Sequence, residues 1–122
     1  FIIDGAHNAE GALSLRQTID KYFPGRRLTF IIGVLGDKNY EDMVKAVVPG
    51  CYRVFTVTPD SPRALPAGQL SEVIGKYCKN VTTSDTIEEA VRLSLAGAGK
   101  DDVICAFGSL YYIGEIRELF GL

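Results

Sequence analysis

Two stretches of this chain leave few folds open. Leu28-Thr29-Phe30-Ile31-Ile32-Gly33-Val34 and Val103-Ile104-Cys105-Ala106-Phe107 are apolar almost without interruption. A strand with one wet face alternates apolar and polar residues. A strand apolar at successive positions must be covered on both faces, which is the mark of a parallel sheet layered with helices. Phe1–Ile3, Val54–Thr58 and Val81–Thr83 read as the remaining strands. Helical spacing of apolar residues predicts helices over Ala9–Phe23, Tyr40–Val48, Ala67–Cys78, Ile87–Ala96 and Leu110–Phe120. The inner stripe of the first is Ala12, Leu15, Ile19, Tyr22 and Phe23; that of the last is Ile113, Ile116 and Phe120. Asn8 is placed to cap the first helix, and Ser84 or Asp85 the fourth, where Asp85-x-x-Glu88 is a variant capping box. Pro24-Gly25 and Pro49-Gly50 stop two helices, and Pro59, Pro62 and Pro66 stiffen one connector. Strand and helix alternate through ten elements. The expectation is an α/β domain with a Rossmann-like, doubly wound sheet and helices on both faces.

Size and composition narrow the function classes. A chain of 122 residues, 47% hydrophobic, is one domain with a real core. Thirteen basic against fifteen acidic residues give a net charge of −2, so there is no basic excess to neutralise the phosphates of a duplex, and a dedicated nucleic-acid binder is not expected. No apolar run approaches the roughly 20 residues that span a bilayer. Phe1 already stands in a strand without a lead-in, so residues 1–122 are read as one domain excised from a longer chain. Cys51, Cys78 and Cys105 form no CxxC pair. They read as free apolar thiols suited to a reducing cytoplasm, and their equal spacing is given no structural meaning.

In a doubly wound sheet, ligands sit beyond the carboxyl ends of the strands. That rule selects three loops, with the Pro59–Pro66 connector as a fourth candidate. Asp4-Gly5-Ala6-His7-Asn8 is the densest polar cluster and holds the only histidine. Asp4, released directly from a strand, can accept two hydroxyl hydrogen bonds, as a ribose diol would offer; its alternative role is to cap the turn. His7 precedes a helix N-terminus, where anions are favoured, or stands as an exposed bystander. In Leu35-Gly36-Asp37-Lys38-Asn39, Lys38 can reach an anion, while Asp37 or Asn39 serves as a cap. Gly108-Ser109 ends the last strand, and its amides with the Ser109 hydroxyl suit a carboxylate or phosphate. Absences exclude other chemistries. The chain has no GxxxxGK[ST], no GxGxxG after Phe1–Ile3, no GxSxG and no second histidine.

Ile3-Asp4-Gly5-Ala6-His7-Asn8-Ala9-Glu10-Gly11-Ala12, Gly33-Val34-Leu35-Gly36-Asp37-Lys38-Asn39 and Gly108-Ser109-Leu110-Tyr111, in that order and spacing, resemble the C-terminal domain of folylpolyglutamate synthase/dihydrofolate synthase, in the Mur ligase family. The resemblance runs end to end and is most specific in Asp-Gly-Ala-His-Asn. It implies a mostly parallel sheet with one antiparallel strand, not visible in this strand pattern. It also implies ATP-dependent amide formation: a folate or dihydropteroate carboxylate is phosphorylated, and L-glutamate attacks the acyl phosphate. By the same resemblance Asp4 binds the ATP ribose, His7 approaches the phosphates, Asn8 assists or caps, and Ser109 holds the incoming glutamate. Lys38 is a weaker anion contact. The P-loop and the Mg2+ ligands would belong to an N-terminal domain of the same chain, which is expected to work as a monomer in the cytoplasm. Ala9 stands where family members usually carry Pro, a mild change at a first helical turn.

Two other classes compete. A receiver-type signalling domain shares the fold but needs an acidic pair after strand one and a lysine after strand five. This chain has a single Asp4 and Gly108-Ser109 there. A non-catalytic nucleotide-binding module would keep the Asp4 cleft and need no second domain.

Overall fold

A computed structural model describes residues 1–36 and 39–121; the side chains of Leu110 and Tyr111 fall outside that description. The elements run β1 (Ile2–Ile3), α1 (Ala9–Tyr22), β2 (Leu28–Gly33), α2 (Tyr40–Val47), β3 (Arg53–Thr56), α3 (Ala67–Ile74), β4 (Val81–Thr83), α4 (Ile87–Ala96), β5 (Val103–Gly108) and α5 (Leu110–Leu119). The five strands form one sheet in the order β1-β5-β2-β3-β4, and every pairing is parallel. The antiparallel strand that the resemblance implies has no counterpart among the described residues. The one antiparallel contact they show is an isolated bridge between Leu35 and Ala64, which ties the loop after β2 to the proline-rich connector.

β2 and β5 are buried at all six positions each, as continuous apolar runs require. Their side chains alternate between two cores. Phe30, Ile32, Cys105 and Phe107 pack under α1, α2 and α3. Ile31, Phe55, Ile104 and Ala106 pack against α4 and α5. The Phe30 and Phe107 rings meet edge to face, with centroids 5.4 Å apart, across the seam between the two central strands. The chain runs β1 to β2 to β3 to β4 along one face. It then returns through α4 on the other face to insert β5 between β1 and β2. The direction of travel reverses after β4, and the helix that follows β5 lies on the face opposite those that follow β1 and β2, so the switch point of the sheet lies at β1, β5 and β2.

Four local expectations are corrected. Tyr22 is not in the inner stripe but 65% exposed; Ala12, Leu15 and Ile19 carry that face. Phe120 likewise is 38% exposed, its ring tilted against Phe1 at 4.7 Å. α3 stops at Ile74, well before Cys78, because Gly75 ends it and Lys76 and Tyr77 form turns back to Val73 and Ile74. The cap of α4 is Thr86, whose hydroxyl accepts the Glu89 N–H at 3.0 Å. Ser84 does not serve there: its N–H extends the β4 ladder to the Thr56 carbonyl, and its buried hydroxyl makes no hydrogen bond among the described residues.

The cysteine spacing also acquires a meaning. β3 and β4 pair with Val54 opposite Val81, an offset equal to that between Cys51 and Cys78. The two thiols therefore lie beside each other at the sheet's amino edge. Burial, with Cys78 as neighbour, pushes the Cys51 thiol up to about 12. All three cysteines are free.

Candidate functional site at the carboxyl edge of the sheet

The strand order brings together what the sequence separates by a hundred residues. β1 pairs with β5 through Ile3 and Ala106, and the Asp4 N–H continues that ladder to the Ala106 carbonyl at 2.9 Å. β2 pairs with β5 through Gly33 and Gly108, and the Ser109 N–H donates to the Gly33 carbonyl at 2.7 Å. The loops beginning at Asp4, Val34 and Gly108 thus leave from three neighbouring strand ends.

Asp4 is half-buried, and one of its carboxylate oxygens accepts the Ala6 N–H at 2.8 Å. The turn-capping role is real. A carboxylate has about four lone-pair positions, so one amide leaves capacity for a diol. Asn8 is the N-cap of α1, with extended backbone and its side-chain oxygen accepting the Gly11 N–H at 2.7 Å. His7 is exposed, with Nδ1 3.0 Å from the Gly5 carbonyl oxygen. A carbonyl only accepts, so this contact needs the proton on Nδ1 and leaves Nε2 as the second ring nitrogen. Gly11 lets the loop lie on the helix, since a Cβ there would stand 3.2 Å from the Asn8 side-chain oxygen. Between loop and helix opens a groove of about 280 Å³, lined by Asp4, Ala6, Gly11, Ser14, Leu15 and Thr18.

Gly108 has φ of +123°, and a Cβ on it would overlap the Gly33 carbonyl oxygen. No other residue type fits that corner. Ser109 follows it and is 6% exposed. Its N–H is committed to Gly33, and its carbonyl accepts from Tyr112 and Ile113 in the first turn of α5. Asp37 and Lys38 lie outside the described residues, so the structure does not bear on the anion contact expected of Lys38. Asn39 precedes α2 but makes no side-chain cap; its amide donates instead to Asp42 at 2.7 Å. Beneath the loops, burial first and the Asp4 charge second push the Cys105 thiol up to about 12, so it stays protonated. Among the described residues no three His, Cys, Asp or Glu side chains converge.

Sequence reasoning missed Tyr112. It is fully buried, and its hydroxyl reaches the carbonyls of Ile31 on β2 and Phe107 on β5. Burial and nearby Cys105 hold its phenol well above the ordinary value, so the donor proton is retained. A tyrosine on an apolar helix stripe carries no sequence signal for such a role.

A parallel α/β sheet with its switch point at β5, and polar loops grouped there, defines a Rossmann-like α/β domain. Known proteins narrow that class. The family described as "Mur ligase, glutamate ligase domain" matches residues 1–110, and the chain belongs to it. Over 116 residues the chain is 28% identical to the dihydrofolate synthase/folylpolyglutamate synthase of Bacillus subtilis, covering 95% of this chain and 26% of that protein. It is 34% identical to the folylpolyglutamate synthase of Lacticaseibacillus casei, covering 97% of this chain and 26% of that one. Its fold superposes on Mycobacterium tuberculosis folylpolyglutamate synthase, solved with ADP and AMPPCP, with a TM-score of 0.87 at 31% identity; this covers 98% of the chain and 30% of that structure. The chain therefore spans about a quarter of the length of the curated relatives it matches.

Proposed function

We propose that residues 1–122 form the C-terminal lobe of an ATP-dependent ligase that joins L-glutamate to a folate or dihydropteroate carboxylate through an acyl phosphate. The observation that carries this reading is the grouping of the Asp4–Asn8 loop and the Gly108–Ser109 corner on adjacent strand ends. They sit in a domain of the glutamate ligase family whose relatives are named folylpolyglutamate synthases.

In this proposal Asp4 accepts the two ribose hydroxyls of ATP with the capacity its bond to Ala6 leaves. His7 meets the phosphates as an imidazolium, with Nδ1–H on the Gly5 carbonyl and Nε2–H donated to a phosphate oxygen. Asn8 acts by holding the start of α1 in place, since its oxygen is committed to Gly11. Ser109 contacts the glutamate carboxylate at the start of α5, where the helix dipole favours negative charge. Lys38, after β2, is the remaining anion contact. The P-loop and Mg2+ ligands belong to an N-terminal lobe of the same polypeptide, and closure of the two lobes excludes water from the acyl phosphate. No helix among the described residues is long and apolar enough to cross a membrane. The whole enzyme is proposed to be a cytoplasmic monomer.

Kinetics of the full-length protein test the reading. Asp4→Asn is expected to raise the KM for ATP about 10- to 100-fold, the worth of a hydrogen bond to a charged group. Ser109→Ala should raise the KM for glutamate about 2- to 10-fold and that for ATP less. Equal effects on both substrates would contradict the division of labour. Residues 1–122 alone should show no turnover with ATP, folate and glutamate; measurable turnover would refute the two-lobe scheme.

A further inference from the structure

We infer that Tyr112 is a positioning residue for the glutamate subsite, acting through the Gly108–Ser109 corner; this rests on the proposed role of Ser109. Three contacts converge there. The Tyr112 hydroxyl donates to carbonyls on both strands that frame the corner, Ile31 of β2 at 2.9 Å and Phe107 of β5. Its ring lies against Gly33, where an added Cβ would come within 3.1 to 3.2 Å of ring carbons. Its N–H closes the first turn of α5 on the Ser109 carbonyl at 3.2 Å.

One side chain therefore fixes the strand ends before the corner, the glycine it packs on and the turn after it. Gly108 itself resists little, because glycine moves freely among backbone conformations. The stiffness that Ser109 needs must come from outside the loop, and the buried phenol supplies it. The hydroxyl is far into the core on the α4 and α5 side, so it touches no ligand and acts only by placing Ser109.

Tyr112→Phe removes the hydroxyl and keeps the ring. In the full-length enzyme it should raise the KM for glutamate by about five- to tenfold and by no more than Ser109→Ala does, while the KM for ATP stays within about twofold. Placed on Ser109→Ala, the same substitution should add less than about twofold, because the residue it acts through is gone. Equal rises in both KM values, or an undiminished effect without the Ser109 hydroxyl, would overturn the inference. Should Tyr112→Phe not fold, 4-aminophenylalanine at position 112 keeps a donor at the same place. It should hold the glutamate KM within about threefold of wild type, and a rise of about five- to tenfold in that folded variant would be equally fatal. The two levels separate cleanly. If Ser109→Ala leaves the glutamate KM unchanged, the proposed role of Ser109 fails. If Ser109→Ala raises it and Tyr112→Phe does not, this inference alone fails.

Discussion

The two edges of the sheet are held by different chemistry. At the amino edge, side-chain ion pairs and cation–π contacts reinforce main-chain bonds such as that from the Val103 N–H to the Arg27 carbonyl at 2.9 Å. Arg27, just before β2, donates twice to Asp102, just before β5, at 3.1 and 2.6 Å, and Asp102 also accepts the Gly99 N–H at 2.8 Å. The Arg27 guanidinium lies 4.3 Å over the Tyr52 ring and that of Arg53 4.7 Å over Phe55. At the carboxyl edge the ladder is continued by main-chain bonds from Asp4 and Ser109, and the Tyr112 hydroxyl ties two strand ends from below. The difference teaches where function can sit. Arg27 and Asp102 at the amino edge are engaged with each other, whereas among the described residues the Asp4 and His7 side chains are bonded only to their own loop backbone.

The contrast can be broken from either end, and the largest effect belongs to the carboxyl edge. Gly108→Ala puts a methyl group on the Gly33 carbonyl at a backbone angle that L residues rarely adopt. It should destabilise the domain by more than about 3 kcal/mol in chemical denaturation, and a loss under about 1 kcal/mol would show that the corner adapts. Gly33→Ala should cost about 1 to 3 kcal/mol, since the new Cβ would stand 2.8 Å from Val57 Cγ2 and press on the Tyr112 ring. Asp4→Ala removes a single loop hydrogen bond and should cost only about 1 kcal/mol, with the fold intact by circular dichroism. Unfolding of that variant would mean that the carboxylate is structural.

The smallest effect belongs to the amino edge and depends on pH. The hydrogen bond from Arg27, helped by the Gly99 N–H, holds the Asp102 carboxyl below the usual carboxylate range. A carboxyl lowered in the folded state adds stability above its unfolded value, near 3.9, and loses it as pH falls through the folded value. Wild type should therefore be slightly more stable than Asp102→Asn at pH 7, and the gap should close below about pH 4 and shrink in high salt. A gap that persists at pH 2 would show that the carboxylate charge is not its source.

The fold was legible where local rules decide. The unbroken apolar runs of β2 and β5 announced strands buried on both faces, and Asn8 caps α1 as its residue type implies. Local rules failed where the sheet competes for the same residue. Ser84 resembled a cap but is held in the β4 ladder, and the cap passed to Thr86. Tyr22 continued the helical stripe on paper, yet α1 ends there and leaves it in solvent. The site loops were legible individually, since each follows a strand, but their adjacency depends on β5 inserting between β1 and β2, a pairing between distant segments. Tyr112 was the least legible, because its partners lie on two strands and its neighbours in sequence spell only an apolar helix.

A crystal structure of the complete polypeptide with a non-hydrolysable ATP analogue tests the central claim most directly. The Asp4 carboxylate should lie within hydrogen-bond distance, roughly 2.5 to 3.0 Å, of the ribose hydroxyls while still holding the Ala6 N–H. A nucleotide bound with its sugar away from Asp4 would contradict the account, whatever the kinetics of the variants.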